Sequence, residues 1–222
     1  GHVPVLVGGT GFYIQAVLYD IDFTETAEDT AYREELSAYA AQYGAEALHA
    51  RLAEADPASA EAIHANNVKR VIRALEFYRQ TGTPISAHNE EQRTKQTAYN
   101  SAYFVLTEER SVLYQRIEKR IDKMIEEGLV EEVRSLMAEG CTAGMVSMQG
   151  LGYKEILSYL NGECTLSEAA SVLKRDTRHF AKRQLTWFKR ERDVLWFDKG
   201  AYADEKAILA AMLSEAKNRE IL

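Results

Sequence analysis

A short apolar run that leads directly into a glycine-rich turn places the strongest constraint on the fold. Residues 3–7 read VPVLV, and residues 8–11, hereafter the glycine loop, read GGTG. An apolar run without polar alternation is typical of a strand that is buried on both faces of a parallel sheet. Because an apolar helix start follows over residues 12–18, the segment predicts the strand, turn and helix of half a βαβ unit.

A buried parallel strand needs neighbours on both sides. The sequence supplies only two further short strands, at residues 103–106 and 194–197. Three short strands make a thin sheet, so we expect sheet-forming residues upstream of residue 1. The predicted class is therefore α/β with a parallel sheet.

Most of the remaining chain has helical periodicity. The segment from 82 to 100 reads as a returning linker, residues 147–152 read as a loop, and Thr107 is a candidate helix N-cap. Helices are predicted at 29–43, 45–54, 67–80, 129–137, 153–160, 204–217 and from residue 166 or 167 onward. We predict a core domain formed by residues 1–22 and 100–222, and a helical insertion domain formed by residues 23–99.

Composition excludes several classes of protein. The 222 residues carry a formal charge of −7, which argues against nonspecific coating of DNA or membranes. No apolar run approaches the roughly 18 residues of a membrane span, and no signal peptide is visible. Cys141 and Cys164 form neither a CxxC pair nor a disulfide framework. These features predict a cytoplasmic protein without a membrane partner.

Positive charge is concentrated near the end of this acidic chain. Residues 174–192 contain eight Lys or Arg and only two acidic residues. On a helix, one face collects Arg175, Arg178, His179, Lys182, Thr186 and Lys189, and the opposite face collects Phe180, Ala181, Trp187 and Phe188. A solvated surface usually mixes charge signs, so this face indicates a surface for a polyanion. An ordinary solvated face is the alternative.

Gln184 lies in the middle of the predicted apolar face. A long amide there must find hydrogen-bond partners or cost about 1–3 kcal/mol. Either it donates to the carbonyl of a neighbouring loop, or this face lines a functional site.

Two further groups of cations have helical spacing. Lys69, Arg70 and Arg73 lie opposite the apolar stripe of their helix, and Arg116 and Arg120 lie one turn apart. Arginine forks suit phosphate oxygens, so the groups together indicate RNA or a diphosphate as ligand.

The glycine loop is a weaker signal. Gly8, Gly9 and Gly11 can present backbone N–H groups, and Thr10 a hydroxyl, to an anion at a helix start. A tight strand-to-helix connection is the alternative. The 222 residues contain no GxxxxGK[ST] motif.

Five motifs together resemble the tRNA dimethylallyltransferase (tRNA isopentenyltransferase) family. They are VLVGGTGFY, DPASAEAIHANNVKRVIRALEFYRQTG, QRIEKRIDKMIEEGLVEEV, GLGYKEI and RDTRHFAKRQLTWFKR, and they cover almost the whole chain in order. Family members begin with a P-loop and an Asp-Ser segment, which would lie upstream of residue 1. The resemblance therefore implies the C-terminal two-thirds of a P-loop-NTPase-like enzyme with a helical insertion.

The resemblance also implies a reaction. The family moves a dimethylallyl group from dimethylallyl diphosphate to the exocyclic amine of the adenosine just 3′ of the tRNA anticodon, with Mg²⁺ assisting the leaving diphosphate. Thr10 matches a threonine near the reacting groups, and Arg120 an arginine that faces the diphosphate. The general base and the Mg²⁺ ligands are expected in the upstream segment, so residues 1–222 alone are predicted to be inactive.

Contacts with tRNA carry over segment by segment. The matching residues are Arg33, Lys69, Arg70, Arg73, Gln149, Gly152, Tyr153, Lys154, Lys182, Arg183, Gln184, Thr186, Trp187 and Lys189. We predict a monomer whose partners are tRNA and dimethylallyl diphosphate. The alternatives are a P-loop kinase-like phosphotransferase, which would not bind RNA, and a non-catalytic RNA-binding fragment.

Overall fold

A computed structural model describes residues 2–21 and 29–222 of the chain. The chain divides into two compact units: the first contains the chain up to Gly11 and Asn100–Leu222, and the second contains Phe12–Tyr99. The predicted first domain boundary, between residues 22 and 23, lies outside the described residues. The two-domain division stays a prediction.

The described part of the second unit contains helices and no strand. Its helices, the first of which begins at Gly11, are α1 (Gly11–Tyr19), α2 (Thr30–Tyr43), α3 (Ala45–Ala55), α4 (Pro57–Ala62), α5 (Val68–Thr81) and α6 (Ile85–Thr94). Leu36, Leu48, Leu52 and Val71 are fully buried at the centre of its core. The helical spacing of apolar residues therefore predicted α2, α3 and α5 correctly.

Helix α6 replaces most of the predicted linker. The buried carboxylate of Asp56 accepts hydrogen bonds from the backbone N–H groups of Ser59, at 3.0 Å, and Ser86, at 2.9 Å. It therefore caps α4 and also fixes the first turn of α6. The linker prediction was wrong because this stabilising contact comes from a residue 30 positions away in the sequence.

The first unit combines a small sheet with helices. In chain order it contains β1 (Tyr103–Thr107), α7 (Arg110–Glu126), α8 (Leu129–Ala138), a 3-10 helix (Val146–Gln149), α9 (Tyr153–Leu160), α10 (Leu166–Phe188), β2 (Val194–Asp198), a 3-10 turn (Lys199–Ala201) and α11 (Glu205–Asn218). Strands β1 and β2 pair in parallel, with Tyr103 opposite Val194 and Thr107 opposite Asp198. The strands predicted at residues 103–106 and 194–197 are confirmed.

Helix α10 is built from local signals at its start. Thr165 and Glu168 form a reciprocal capping box, in which Thr165 N donates to Glu168 Oε2 at 2.7 Å and Glu168 N donates to Thr165 Oγ1 at 3.3 Å. The helix packs against α7 and α9. Ile121, Val133, Ile156 and Leu173 belong to the buried core that these helices share with α8.

Two local predictions were wrong. Residues 3–7 do not form a strand, and Val5 and Val7 are 81% and 90% exposed. An apolar, β-branched run favours extended backbone but supplies no hydrogen-bonding neighbour, and β1 and β2 pair only with each other within the described residues. The second error concerns α7: its N-cap is Glu109, whose carboxylate accepts from Val112 N at 3.1 Å, and not Thr107.

The predicted loop at residues 147–152 is also partly ordered as helix. Its first residues belong to the 3-10 helix, and Met148 is buried within the core of the first unit. The loop prediction was therefore correct only for the residues that follow Gln149.

Candidate functional site

The glycine loop lies against α10. The side-chain amide of Gln184 donates a hydrogen bond to the carbonyl oxygen of Gly9 at 2.8 Å. A Cβ atom added at Gly9 would lie 2.2 Å from Gln184 Nε2, and one added at Gly11 would lie 2.2 Å from the Trp187 ring. Thr10, between these two glycines, is exposed. The structure thus brings together five of the predicted site residues and answers the question posed by Gln184: its amide is satisfied by a loop carbonyl.

The face that carries Gln184 is less buried than predicted. Phe188 is buried, but Phe180 and Trp187 are 40% and 38% exposed. The prediction of a core face was therefore wrong for these two aromatic residues. Trp187 lies against Gly11 of the glycine loop, and a glycine has no side chain to cover the indole.

The cations at the start of the basic stretch all have acidic partners. Lys174 pairs with Asp122 of α7, Arg178 with Glu118 of α7, and Arg175 with its neighbour Asp176 at 2.9 Å. We call Lys174, Arg175 and Arg178 the paired cations. Two of them attach α10 to α7, so this part of the predicted polyanion surface is used for packing.

The cations that follow differ from them. Four cations later in the stretch form no ion pair within the described residues. They are Lys182, Arg183, Lys189 and Arg190, hereafter the unpaired cations. The Arg183 guanidinium lies 5.6 Å from the centre of the Phe180 ring, and all four side chains are exposed. Thr186 donates its hydroxyl to the carbonyl of Lys182 at 2.9 Å. Positive charge that can meet a polyanion therefore lies in this segment.

The two arginines of α7 are also distinguished by their partners. Arg116 Nη1 lies 2.9 Å and 3.1 Å from the two carboxylate oxygens of Glu108. Arg120 is exposed and forms no hydrogen bond or ion pair among the described residues. Its guanidinium fork is therefore available to a ligand, although no hydrogen bond joins it to the glycine loop.

A buried carboxylate organises the basic residues of the second unit. Arg33 holds Glu76 with a two-pronged contact at 2.8 Å and 2.9 Å, and Arg73 Nη1 lies 3.3 Å from the same carboxylate. Burial by itself would raise the pKa of Glu76, but the hydrogen bonds and charge of Arg33, aided by Arg73 and Asp29 N–H, lower that pKa below its ordinary value. By contrast, Lys69 and Arg70 are exposed and have no acidic partner among the described residues.

The segment that leads into α9 is held by a second buried carboxylate. Gly152, with φ of +102°, donates its N–H to Glu155 Oε2 at 2.9 Å and begins α9. Lys154 Nζ lies 3.3 Å from the other oxygen of Glu155, without hydrogen-bond geometry, and 3.4 Å from Asp176. These contacts fix the backbone of the segment.

The other two predicted tRNA contacts of this segment, Tyr153 and Gln149, also form hydrogen bonds inside the protein. Tyr153 donates its hydroxyl to Glu132, and this hydrogen bond, together with burial, raises the pKa of the phenol. Gln149 donates its amide to the carbonyl of Ala143.

Sequence reasoning missed the carboxylates that decide which cations are available. Glu76 follows Arg73 by three residues, so helical spacing could have identified that contact. Glu118 and Arg178 are 60 residues apart, and no local pattern indicates their pairing. Among residues 2–21 and 29–222, no group of three or more His, Cys, Asp or Glu side chains is arranged to hold a metal ion. No described helix is both long and apolar enough to cross a membrane.

Comparison with known proteins defines the class. A sequence model of the IPP transferase family matches residues 1–191. The chain belongs to this family of prenyl-transferring enzymes, and its mostly helical fold around a small parallel sheet is the P-loop-like α/β fold of tRNA isopentenyltransferases.

Individual relatives make the assignment more specific. The tRNA dimethylallyltransferase of Lachnoclostridium phytofermentans is 57% identical over 222 residues, which are 100% of this chain and 71% of that protein. The full-length tRNA isopentenylpyrophosphate transferase of Bacillus halodurans superposes with a TM-score of 0.61 at 42% identity, over 95% of this chain and 65% of that one. The family resemblance, the fold class and the enzyme class predicted from the sequence are confirmed.

A third comparison concerns the fold alone. A eukaryotic dimethylallyltransferase, solved while acting on tRNA, superposes with a TM-score of 0.71 over 96% of this chain at 24% identity. The chain spans 56% of the length of that protein.

Proposed function

We propose that the protein carrying this chain transfers a dimethylallyl group from dimethylallyl diphosphate to the exocyclic amine of the adenosine 3′-adjacent to the anticodon of tRNA. Membership of the IPP transferase family supplies the reaction class. The structural observation that carries the proposal is the group of unpaired cations at and just beyond the C-terminal end of α10, the helix that contacts the glycine loop. A polyanionic substrate and a diphosphate leaving group both require such charge.

The reaction has defined requirements. The amine nitrogen forms a bond to the first carbon of the dimethylallyl group, the bond from that carbon to diphosphate oxygen breaks, and the nitrogen loses a proton. Negative charge builds on the departing diphosphate, and donors placed before the reaction stabilise it most effectively.

Arg120 is our candidate for that donor. Its guanidinium is exposed and has no acidic partner among the described residues, whereas Nη1 of Arg116 is paired with Glu108. A free fork can hold two phosphate oxygens. Thr10, presented by the glycine loop, is the candidate hydroxyl beside the reacting groups.

Binding of tRNA is assigned first to cations without acidic partners. These are Lys182, Arg183 and Lys189 in the first unit, and Lys69 and Arg70 in the second. Arg33 and Arg73 support Glu76, so we propose that they act on tRNA by fixing the helix that carries Lys69 and Arg70. Lys154 and Tyr153 fix the start of α9, and Gln149, Gly152 and Thr186 remain proposed contacts.

The proposed reaction uses Mg²⁺, but we assign none of the described residues as a ligand of the ion. A divalent metal is typical of enzymes that release diphosphate, yet the described residues offer no cluster of His, Cys, Asp or Glu that fits it. We therefore assign no step of the reaction to a metal held by these residues.

The decisive experiment measures incorporation of labelled dimethylallyl into tRNA by the intact enzyme. The matched control is the same tRNA with uridine in place of the adenosine 3′ to the anticodon, since uridine has no exocyclic amine. Incorporation into the first tRNA and not the second supports the proposal. Phosphoryl transfer from ATP without RNA binding would identify the kinase-like alternative, and RNA binding without prenyl transfer would identify an RNA-binding module.

Two further proposals can be tested with the same protein. We propose a monomer, which sedimentation measures directly. The proposed location is the cytoplasm, since Cys141 and Cys164 are both free and the proposed substrate is tRNA.

A further inference from the structure

Side chains of α10 hold the glycine loop in place. Gln184 donates to the Gly9 carbonyl at 2.8 Å, and the two residues are 175 positions apart in the sequence. The Gln184 side chain is half-buried, so this hydrogen bond is only partly exposed to competition from water.

Positions 9 and 11 of the loop require glycine because side chains of α10 lie very close to them, and not because of their backbone conformation. Neither Gly9 nor Gly11 has a positive φ. Any side chain at Gly9 would displace the Gln184 amide, and any side chain at Gly11 would enter the rigid indole of Trp187. Thr10, which carries the only side chain of residues 9–11, therefore lies between two glycines that both contact α10.

Trp187 is itself held in place. Its side chain forms a hydrogen bond with Glu191, four residues further along the chain. The indole against Gly11 is thus oriented by its own neighbour, as the Gln184 amide is oriented by Gly9. The Thr10 backbone is fixed on both flanks while its side chain remains exposed.

We infer that Gln184 and Trp187 are positioning residues for Thr10: they hold the glycine loop on α10 so that the threonine hydroxyl is presented to the reacting groups. This inference rests on the proposed function, and it takes Gln184 and Trp187 out of the set of direct tRNA contacts. Helix α10 then has two tasks, because Lys182 and Arg183 meet the tRNA backbone while Gln184 and Trp187 order the reaction site.

The test uses Gln184→Glu in the intact enzyme. The replacement has nearly the same shape, but an ionised carboxylate cannot donate to the Gly9 carbonyl. We expect kcat for dimethylallyl transfer to fall roughly 10-fold, with KM for tRNA within about 2-fold of wild type, because loss of one such hydrogen bond disorders a reacting group and not a tRNA contact. Gln115→Glu, on an exposed site of α7, adds the same charge to the same unit and should change neither value.

A double-mutant cycle tests the contact itself. Gly9→Ala introduces a Cβ where the Gln184 amide lies, so it should reduce kcat to a similar extent. The double variant should be no worse than either single variant, because both remove the same support. Additive losses would overturn the inference.

Amide hydrogen exchange of the peptide that covers residues 8–11 provides a readout that does not require activity. Exchange should accelerate at least several-fold in Gln184→Glu and not in Gln115→Glu. Unchanged exchange, or a raised KM for tRNA with normal kcat, would overturn the inference. If the wild-type enzyme transfers no dimethylallyl group, the proposed function has failed, and the exchange result still decides whether α10 holds the loop.

Discussion

The two parts of the basic stretch look alike in sequence but differ in structure. The paired cations, Lys174, Arg175 and Arg178, all contact carboxylates, two of them on α7. The unpaired cations begin only one turn later and have no acidic partner among the described residues. A run of positive charge is therefore not one functional surface. Where α7 supplies carboxylates, the cations stabilise packing, and where no described carboxylate pairs with them, their charge remains available to a ligand.

The same contrast occurs at two other places. On α7, Arg116 is paired with Glu108 while Arg120 is exposed without a partner among the described residues. In the second unit, Arg73 contacts the buried Glu76 while Lys69 and Arg70 do not contact it. If pairing separates structural from functional cations, substitutions on the two sides should affect different measurements.

The largest effect is expected at Arg120. Arg120→Ala should lower kcat/KM for dimethylallyl transfer about 100-fold or more, because one preorganised donor to the leaving group is lost. Arg120→Lys should retain part of the activity, since the charge remains while the fork is lost.

The matched control for this prediction is Arg116→Ala, one helical turn away. Steady-state kinetics should show near-wild-type values for this variant, because its guanidinium is already occupied by Glu108. Equal losses for the two variants would remove the distinction between paired and unpaired arginines on α7.

The next effect concerns stability in the second unit. Arg33→Ala should lower the free energy of unfolding by about 2 kcal/mol, because it leaves Glu76, which is fully buried, with only the weaker Arg73 contact and the Asp29 N–H. Urea denaturation followed by circular dichroism measures the change. Lys69→Ala on the same helix should unfold within about 0.5 kcal/mol of wild type; a comparable loss would show that pairing does not decide stability here.

A pair of double variants on the basic stretch compares its two parts directly. Lys182→Ala with Lys189→Ala should raise KM for tRNA roughly 10-fold and reduce its salt dependence, because two phosphate contacts are lost. Lys174→Ala with Arg178→Ala should leave that KM nearly unchanged and lower the free energy of unfolding by about 1 kcal/mol. Measurements of KM over a salt series and of urea unfolding would separate the two; a reversed pattern would contradict our assignment.

A smaller shift is expected for Lys69→Ala with Arg70→Ala. These side chains lie opposite the buried face of α5, so their removal should not disturb the core. We expect KM for tRNA to rise about 3-fold at low salt, with a difference from wild type that becomes smaller as salt increases, and kcat to be unchanged. A fall in kcat at constant KM would place these residues outside tRNA binding.

The smallest effect is the pH dependence of stability. The pKa of Asp56 is lowered: burial opposes the shift, and hydrogen bonds from Ser86 and Ser59 outweigh it. Because the folded pKa values of Asp56 and Glu76 lie below the ordinary values of 3.8 and 4.5, both carboxylates stabilise the fold above those values and lose this contribution as pH falls through the folded values. Urea unfolding between pH 7 and pH 3 measures the loss, which should be smaller in Asp56→Asn than in wild type.

Local signals in the sequence predicted most elements of the fold. The apolar spacing over residues 67–80 predicted α5, and helical periodicity from residue 166 or 167 onward predicted α10. Caps and helical periodicity depend on residues within a few positions of one another, so one sequence contains the information needed. The errors fall where stability comes from a distance: α6 depends on Asp56, and residues 3–7 have no strand partner among the described residues.

In the candidate site, too, some features could be predicted from the sequence and others depend on tertiary contacts. The sequence by itself determined that this acidic protein concentrates cations at three places, that Thr10 lies between glycines, and that the chain resembles the IPP transferase family, since residue types and spacings carry all three. Only the tertiary structure decided which cations are free and what Gln184 contacts. Those outcomes depend on pairs such as Glu118 with Arg178 and Gly9 with Gln184, which lie 60 and 175 residues apart and meet only when the helices pack.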